Sequence, residues 1–107
     1  MTEAQRGEGW KEIRGALQRD FRFENFREAI AFVNRLAVVA EEVDHHPEIA
    51  IRWNLVRIRW RTHAKRAITQ RDVEMAKRTG ELATSSHEAP PSALALLAEP
   101  VPPRQAP

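Results

Sequence analysis

The chain has 107 residues, 42% of them hydrophobic, which suffices for one small domain and not for two. It lacks cysteine, which excludes disulfide bonds, thiolate zinc sites and a cysteine nucleophile. The formal net charge is only +2, no apolar run approaches the roughly 20 residues of a membrane span, and the polar N-terminus has no hydrophobic signal segment. The sequence therefore predicts a soluble cytoplasmic protein.

Composition divides the chain into three parts. Residues 1–8 are polar and are predicted to form a flexible N-terminus, and residues 9–83 to form the folded domain. Six of the seven prolines lie in residues 84–107, where they interrupt backbone hydrogen bonding and predict a disordered Pro/Ala-rich tail. The apolar stretch at residues 93–98 of this tail leaves open a docking segment for a protein partner.

Two short segments with alternating apolar and polar residues begin the folded domain. They lie at Trp10–Ile13 and Phe21–Phe23, and the linker between them carries Gly15 and the charged pair Arg19 and Asp20. The alternation predicts two neighbouring strands.

A long helix follows. Asn25 is a candidate N-cap, with Glu28 three residues later at capping-box spacing. Apolar residues recur at helical spacing as far as Val43. The helix must end before Pro47, because the proline ring disfavours helical geometry in the residue ahead of it.

A β-hairpin and a second helix complete the domain. Alternation places one set of apolar residues on the first strand and another on the second, with arginines facing solvent (Ile49, Ile51 and Trp53; Val56, Ile58 and Trp60; Arg57, Arg59 and Arg61). Thr69 is a candidate N-cap with Asp72 three residues later, and Gly80 is expected to weaken or end that helix.

The predicted fold is α+β, with a four-stranded antiparallel sheet, helices packed on one face, and the order β-β-α-β-β-α. A core this small leaves Trp53 and Trp60 in need of cover. We therefore expect a homodimer or homotetramer formed through sheet edges or helix faces. The basic strand face is expected to be solvated rather than to bind nucleic acid, because Trp60 lies on the opposite face from the arginines.

Three of the four histidines fall at element ends within the folded domain, at His45, His46 and His63. Histidine exchanges protons near neutral pH, and Glu41 and Asp44 are close enough along the helix to orient the imidazole rings. A proton-transfer or ligand site and a plain helix-end feature fit the spacing equally. A three-histidine zinc site is the weaker alternative, because two adjacent side chains rarely face one ion.

The motifs resemble one family in order and spacing. The segment EEVDHHP at residues 41–47 is followed by IRWNLV at 51–56, TH at 62–63 and TQRD at 69–72. Together with Gly9, Trp10 and the phenylalanine series that follows, this pattern resembles the pterin-4a-carbinolamine dehydratases over about residues 9–82. The sequence departs from the family pattern in the loop after His63. The family usually has a glycine-bearing turn there, whereas residues 64–67 contain no glycine.

The resemblance implies dehydration of a 4a-hydroxytetrahydropterin to the quinonoid dihydropterin by histidine acid-base catalysis, with no metal and no cofactor. His45 and His63 would then donate protons to the hydroxyl, and His46 would bind and deprotonate the pterin ring. Supporting or substrate-contacting positions would be Glu41, Asp44, Pro47, Trp53, Thr62 and Asp72. For Asp72 helix capping, and for Trp53 packing, are the competing interpretations.

A non-catalytic protein-binding role is the alternative function, because members resembling this family serve as dimerisation or assembly cofactors and fold alone does not decide between the two. The tail or the basic strand face would then contact the partner. Retention of all three histidines favours the enzyme.

Overall fold

The structure, a computed structural model, describes residues 2–88. Its elements are α1 (Glu3–Arg6), β1 (Lys11–Ile13), β2 (Ala16–Arg22), α2 (Phe26–Val43), β3 (Glu48–Arg52), β4 (Leu55–Trp60) and α3 (Gln70–Glu88). The short α1 lies in the segment predicted to be a flexible N-terminus. The predicted tail boundary at residue 84 lies inside α3, and the rest of the predicted tail, residues 89–107, is outside the described residues.

The strands form one four-stranded antiparallel sheet in the order β1-β2-β4-β3. Side chains alternate across the sheet, so that one face joins the core residues of α2 and α3. The α+β class and the order β-β-α-β-β-α are therefore confirmed, with α1 added at the start. No helix within residues 2–88 combines the length and hydropathy that crossing a membrane requires.

Helix α2 has defined caps at both ends. Asn25 Oδ1 accepts the backbone N–H of Glu28 at 2.9 Å, and the Glu28 carboxylate accepts the backbone N–H of Glu24 at 3.3 Å. At the other end Asp44 adopts left-handed backbone (φ 54) and its N–H returns to the carbonyls of Ala40 and Glu41. This left-handed cap turns the chain sharply just before the two adjacent histidines.

Gly80, predicted to weaken or end the last helix, does not end it, since α3 continues to Glu88. Leu82 and Ala83 pack against the core beyond the glycine, and this packing outweighs a helix-propensity cost of about 1 kcal/mol. A Cβ at Gly80 would lie 3.3 Å from the Arg19 guanidinium. The glycine therefore permits close approach between α3 and β2.

The charged pair predicted to lie in a linker belongs to β2, which begins at Ala16. The guanidinium carbon of Arg19 lies 4.5 Å from the centre of the Phe21 ring. Asp20 faces outward and accepts two hydrogen bonds from Arg57 of β4, at 2.8 and 3.1 Å. These bonds and the positive charge of Arg57 hold the pKa of Asp20 below its ordinary value. Each charge thus has a partner, so the strand tolerates both.

The two hairpin tryptophans differ in a way that the alternation pattern did not predict. Trp53 is not in the strand but in the two-residue turn before β4, with left-handed backbone (φ 56) and 68% of its surface exposed. Trp60, at the end of β4, is 0% exposed within the single chain. The expectation that both need a partner subunit for cover is therefore wrong for Trp60.

The capping of α2 gives a stability prediction. Asn25→Ala removes the acceptor for the Glu28 N–H, and we expect it to lower the free energy of unfolding by about 1 kcal/mol. The matched control is Asn34→Ala, at an exposed position within the same helix, which we expect to be neutral or slightly stabilising because alanine has the higher helix propensity. Urea unfolding followed by circular dichroism measures both. Equal effects of the two substitutions would contradict the capping role.

Candidate active site

The carboxylate of Asp72 is the centre of the site. The residue is 0% exposed and lies in the first turn of α3. Its Oδ2 accepts the backbone N–H of Thr69 at 2.8 Å and the hydroxyl of Thr62 at 2.8 Å. Its Oδ1 lies 2.7 Å from Nε2 of His45. One side chain therefore connects the start of α3, the segment after β4 and the end of α2.

His45 is buried, with 7% of its surface exposed. Its backbone N–H donates to the carbonyl of Ala40 at 3.2 Å, which carries the side chain inward from the end of α2. Because a carboxylate only accepts hydrogen bonds, Nε2 must carry the proton that points at Asp72. The other ring nitrogen, Nδ1, has no hydrogen-bond partner among residues 2–88. Solvent can reach it, because it is absent from the buried polar atoms without a partner in that range. Nδ1 is therefore the ring atom available to a substrate.

His46 lies at the surface of the protein, in contrast to the buried His45. It is 52% exposed, and its Nε2 lies 2.7 Å from Oε2 of Glu41, which is 77% exposed. A contact this open to water holds its partners weakly, since even fully charged pairs at exposed positions typically contribute only about 0–1 kcal/mol. The two adjacent histidines thus differ in kind, one fixed by a buried carboxylate and the other held by an exposed one.

His63 begins the loop that follows β4. The segment is pinched by an isolated bridge between Thr62 and Ala67, and the Arg66 N–H donates to the carbonyl of His63 at 3.1 Å. Arg66 takes left-handed backbone (φ 52), which the glycine-free sequence makes costly for an L-residue. The His63 side chain is exposed and has no hydrogen bond to any other described residue. Its neighbour Thr62 bonds to Asp72, so His63 leaves the sheet at the end where that carboxylate lies.

The remaining predicted site residues are placed less centrally. Asp44 is exposed and acts through its backbone as the cap of α2, and no partner for its side chain is found in the described range. Pro47 is half-buried beside His46. Trp53 follows the far end of β3, five residues of strand away, which is about 17 Å at the rise of an extended chain. The single chain does not bring Trp53 to the histidines.

The geometry gives no support to the three-histidine zinc alternative. The Nε2 atoms of His45 and His46 engage two separate carboxylates, Asp72 and Glu41. Within residues 2–88, no three His, Asp or Glu side chains are grouped so as to hold a metal ion.

Two residues close to the site were missed by the sequence analysis. The Arg71 guanidinium donates to the carbonyl of Val43 at 2.9 Å, tying the start of α3 to the end of α2. The Trp60 indole stacks on the His45 ring, with centroids 5.3 Å apart and planes inclined by 28°. The position of Arg71 inside the TQRD motif was the available signal for the first, whereas apolar alternation placed Trp60 on the apolar face of its strand and gave no sign of a contact with His45.

One cleft among the described residues lies away from the histidines. It has a volume of about 860 Å³ and is lined by the segment around Gly9 and Trp10, by Arg19 of β2 and by Lys77 of α3. None of the three histidines lines it.

Comparison with known proteins agrees with the motif pattern. Residues 1–82 match the family model described as Pterin 4 alpha carbinolamine dehydratase. A protein of Thermomicrobium roseum, provisionally named pterin-4-alpha-carbinolamine dehydratase, is 50% identical over 76 residues, covering 71% of this chain and 82% of that protein. One from Thermosynechococcus vestitus with the same provisional name is 44% identical over 75 residues, covering 70% of this chain and 79% of that protein.

Two solved structures share the fold. A transcriptional coactivator/pterin dehydratase from Brucella melitensis superposes with a TM-score of 0.69 at 35% identity, covering 71% of this chain and 83% of that one. A pterin dehydratase-like protein identified as a RuBisCO assembly factor in the alpha-carboxysome gives a TM-score of 0.58 at 24% identity, covering 69% of this chain and 86% of that one. At that identity the second comparison shows the fold alone.

The contact between Asp72 and His45 predicts a tautomer. We expect neutral His45 to carry its proton on Nε2, and Asp72→Asn to abolish this preference, because an amide can offer either its oxygen or its NH₂ group to the ring. Long-range ¹H–¹⁵N NMR of the imidazoles measures it. The control is Glu41→Gln, which should alter His46 and leave His45 unchanged. An Nδ1–H tautomer of His45 in the unmodified protein would contradict the assignment.

Proposed function

The chain belongs to the pterin 4 alpha carbinolamine dehydratase family, and we propose that it catalyses the dehydration of a 4a-hydroxytetrahydropterin by histidine acid-base chemistry. The product would be the quinonoid dihydropterin. The observation that carries this proposal is the pair formed by the buried Asp72 carboxylate and His45, with Nε2 occupied at 2.7 Å and Nδ1 left for a substrate.

The reaction needs two proton movements and no redox partner. A proton reaches the 4a-oxygen, the carbon–oxygen bond breaks, and water departs. The adjacent ring nitrogen loses its proton as the carbon–nitrogen double bond forms. Donor and acceptor side chains that exchange protons near neutral pH meet both requirements.

We assign the first movement to His45. In its protonated form the ring donates from Nε2 to Asp72 and from Nδ1 to the leaving hydroxyl. The buried carboxylate lies 2.7 Å from Nε2 and accepts the hydrogen bond from that nitrogen, so that Nδ1 is the ring atom directed at the substrate. The arrangement resembles the carboxylate and imidazole of other acid-base sites, in which the acid holds one ring nitrogen so that the other can work.

The other two histidines complete the proposal. His46 is exposed and, among residues 2–88, is paired only with the exposed Glu41, so its ring can turn toward a bound pterin and accept the ring-nitrogen proton. His63 is also exposed, at the head of its loop, and would be the second donor to the hydroxyl.

A protein-binding role without catalysis is the second candidate. Its support is the exposed apolar surface described below, together with the name of the Brucella melitensis structure, which combines coactivator and dehydratase. The two candidates separate cleanly in an assay, because a purely protein-binding chain would leave the spontaneous dehydration rate unchanged.

The test of catalysis follows the dehydration of enzymatically generated 4a-hydroxytetrahydropterin by ultraviolet absorbance. We expect the native chain to accelerate the reaction, and His45→Ala, His46→Ala or His63→Ala each to lower kcat by roughly 10²–10⁴-fold, the contribution typical of a general acid or base. Addition of a chelator should change nothing. The measurement uses the full chain at a temperature where circular dichroism shows every variant folded.

His87→Ala is the matched control, because it removes the fourth histidine, which lies in the last turn of α3, and should leave the rate intact. Equal rates for the native chain and the spontaneous reaction would reject the dehydratase proposal. Inhibition by a chelator that zinc reverses would replace the metal-free mechanism.

We further propose that the chain forms a homodimer through β3. This strand is at the edge of the sheet, and its outer edge has no strand partner within residues 2–88. Large apolar side chains are exposed along this strand, its turn and α2, and an uncovered apolar edge favours pairing with a second copy. They are Phe26 (51%), Val38 (59%), Ile49 (38%), Ile51 (38%) and Trp53 (68%).

Two substitutions on adjacent residues of β3 test the dimer. Ile51 pairs with the buried Val56 and so lies on the helix side of the sheet, whereas Ala50 pairs with the outward-facing Arg57. We expect Ile51→Lys to give a monomer by light scattering after size exclusion, because burying an unpaired ammonium in the interface is costly. Ala50→Lys adds the same charge on the opposite face and should remain dimeric. A monomeric native chain would contradict the proposal.

A further inference from the structure

Trp60 is held at two points beside His45. It is the last residue of β4 and is 0% exposed. Its indole Nε1 donates to the hydroxyl of Thr79 in α3 at 3.0 Å, and that hydroxyl donates in turn to the carbonyl of Met75 at 2.6 Å. The indole plane is thus fixed by the strand at one end and by α3 at the other.

Stacking of the Trp60 indole on the His45 ring restrains a motion of that ring that the hydrogen bond to Asp72 still allows. A single hydrogen bond from Nε2 to Asp72 fixes one corner of the imidazole but still permits the ring to tilt about that corner. The indole lies against the ring face, with planes inclined by only 28° and centroids 5.3 Å apart. The two contacts together define the plane of the imidazole, and with it the direction in which Nδ1 points.

Packing alone does not account for a tryptophan at this position. Trp60 pairs across the sheet with Leu17 of β2, and an aliphatic side chain would continue that apolar row. An indole brings in addition a buried N–H group, which requires an acceptor, and here Thr79 supplies it. A large aromatic face held in a fixed orientation restrains the tilt of a ring that is stacked on it.

We infer that Trp60 is a positioning residue for the proposed reaction, holding the His45 imidazole so that Nδ1 faces the substrate. The inference rests on the proposed dehydratase function. Trp60 does not touch the reacting atoms. It acts through His45, and orientation at that level can change a rate substantially, because a displacement of about 1 Å in a reacting group can cost on the order of 10²-fold.

Three variants separate positioning from packing. Trp60→Leu fills the core but removes the aromatic face, and we expect kcat to fall by roughly 10–100-fold with KM nearly unchanged. Trp60→Phe keeps a ring against His45 and should recover most of the lost kcat. The matched control is Phe21→Leu, which removes a buried ring that contacts Trp10 and Phe32. It should lower thermal stability while leaving kcat at the native value below the melting temperature.

An NMR measurement makes the test independent of turnover. The proton on His45 Nε2 is hydrogen-bonded to Asp72 and so protected from exchange with solvent. It should give a slowly exchanging downfield signal in the native chain. We expect that signal to persist in Trp60→Phe and Phe21→Leu and to be lost in Trp60→Leu, where the ring is free to tilt. If Trp60→Leu keeps both the signal and the native kcat, the positioning role is overturned.

The two proposals can fail separately. If the native chain does not accelerate dehydration, the proposed function fails, and the NMR signal alone then decides whether Trp60 orients His45. If the native chain is active and Trp60→Leu is no less active than Phe21→Leu, the dehydratase stands and the positioning role is rejected.

Discussion

The rest of the site depends on the buried negative charge of Asp72. A carboxylate removed from water is costly unless donors surround it, and Thr62, Thr69 and His45 provide them. Its place in the first turn of α3 adds the favourable field of the helix N-terminus. Since the donors come from separate parts of the chain, satisfying this one charge brings the ends of α2, β4 and α3 together, and the histidine follows as one of the required donors.

The chain reversal at the end of α2 then divides the adjacent histidines. Asp44 takes left-handed backbone, and its N–H and that of His45 close the helix onto the carbonyls of Ala40 and Glu41. After this turn His45 enters the core while His46 remains outside on Glu41. Neighbouring side chains with the same chemistry thereby acquire different freedom, one fixed before a ligand arrives and the other able to adjust to it.

Periodicity predicted the parts of the fold that depend on local chemistry. The cap at Asn25, the start of α3 directly after Thr69, the end of α2 before Pro47 and the buried row of β4 all follow from spacing. What it missed depends on tertiary contacts. Arg19 and Asp20 suit a strand only because Phe21 and Arg57 receive them, and α3 passes Gly80 because its later turns are packed against the core. Trp53 continued the alternation, but the register of β3 with β4 places it in the turn.

In the site, too, sequence spacing predicted the local features and missed those that depend on tertiary contacts. The motif located the histidines, yet helix capping and a role in the site stood as competing interpretations of Asp72, and the structure shows one carboxylate in contact with both Thr69 and His45. The Oδ2 atom of Asp72 caps α3, and Oδ1 contacts Nε2 of His45. The same carboxylate therefore stabilises the start of the helix and orients the imidazole. An apolar substitution there removes both contacts at once, whereas Asp72→Asn keeps an oxygen that can accept the Thr69 N–H and changes the group offered to the ring. By contrast, Glu41 supports His46 from an exposed position and carries no part of the core, so orientation of that imidazole is separable from folding.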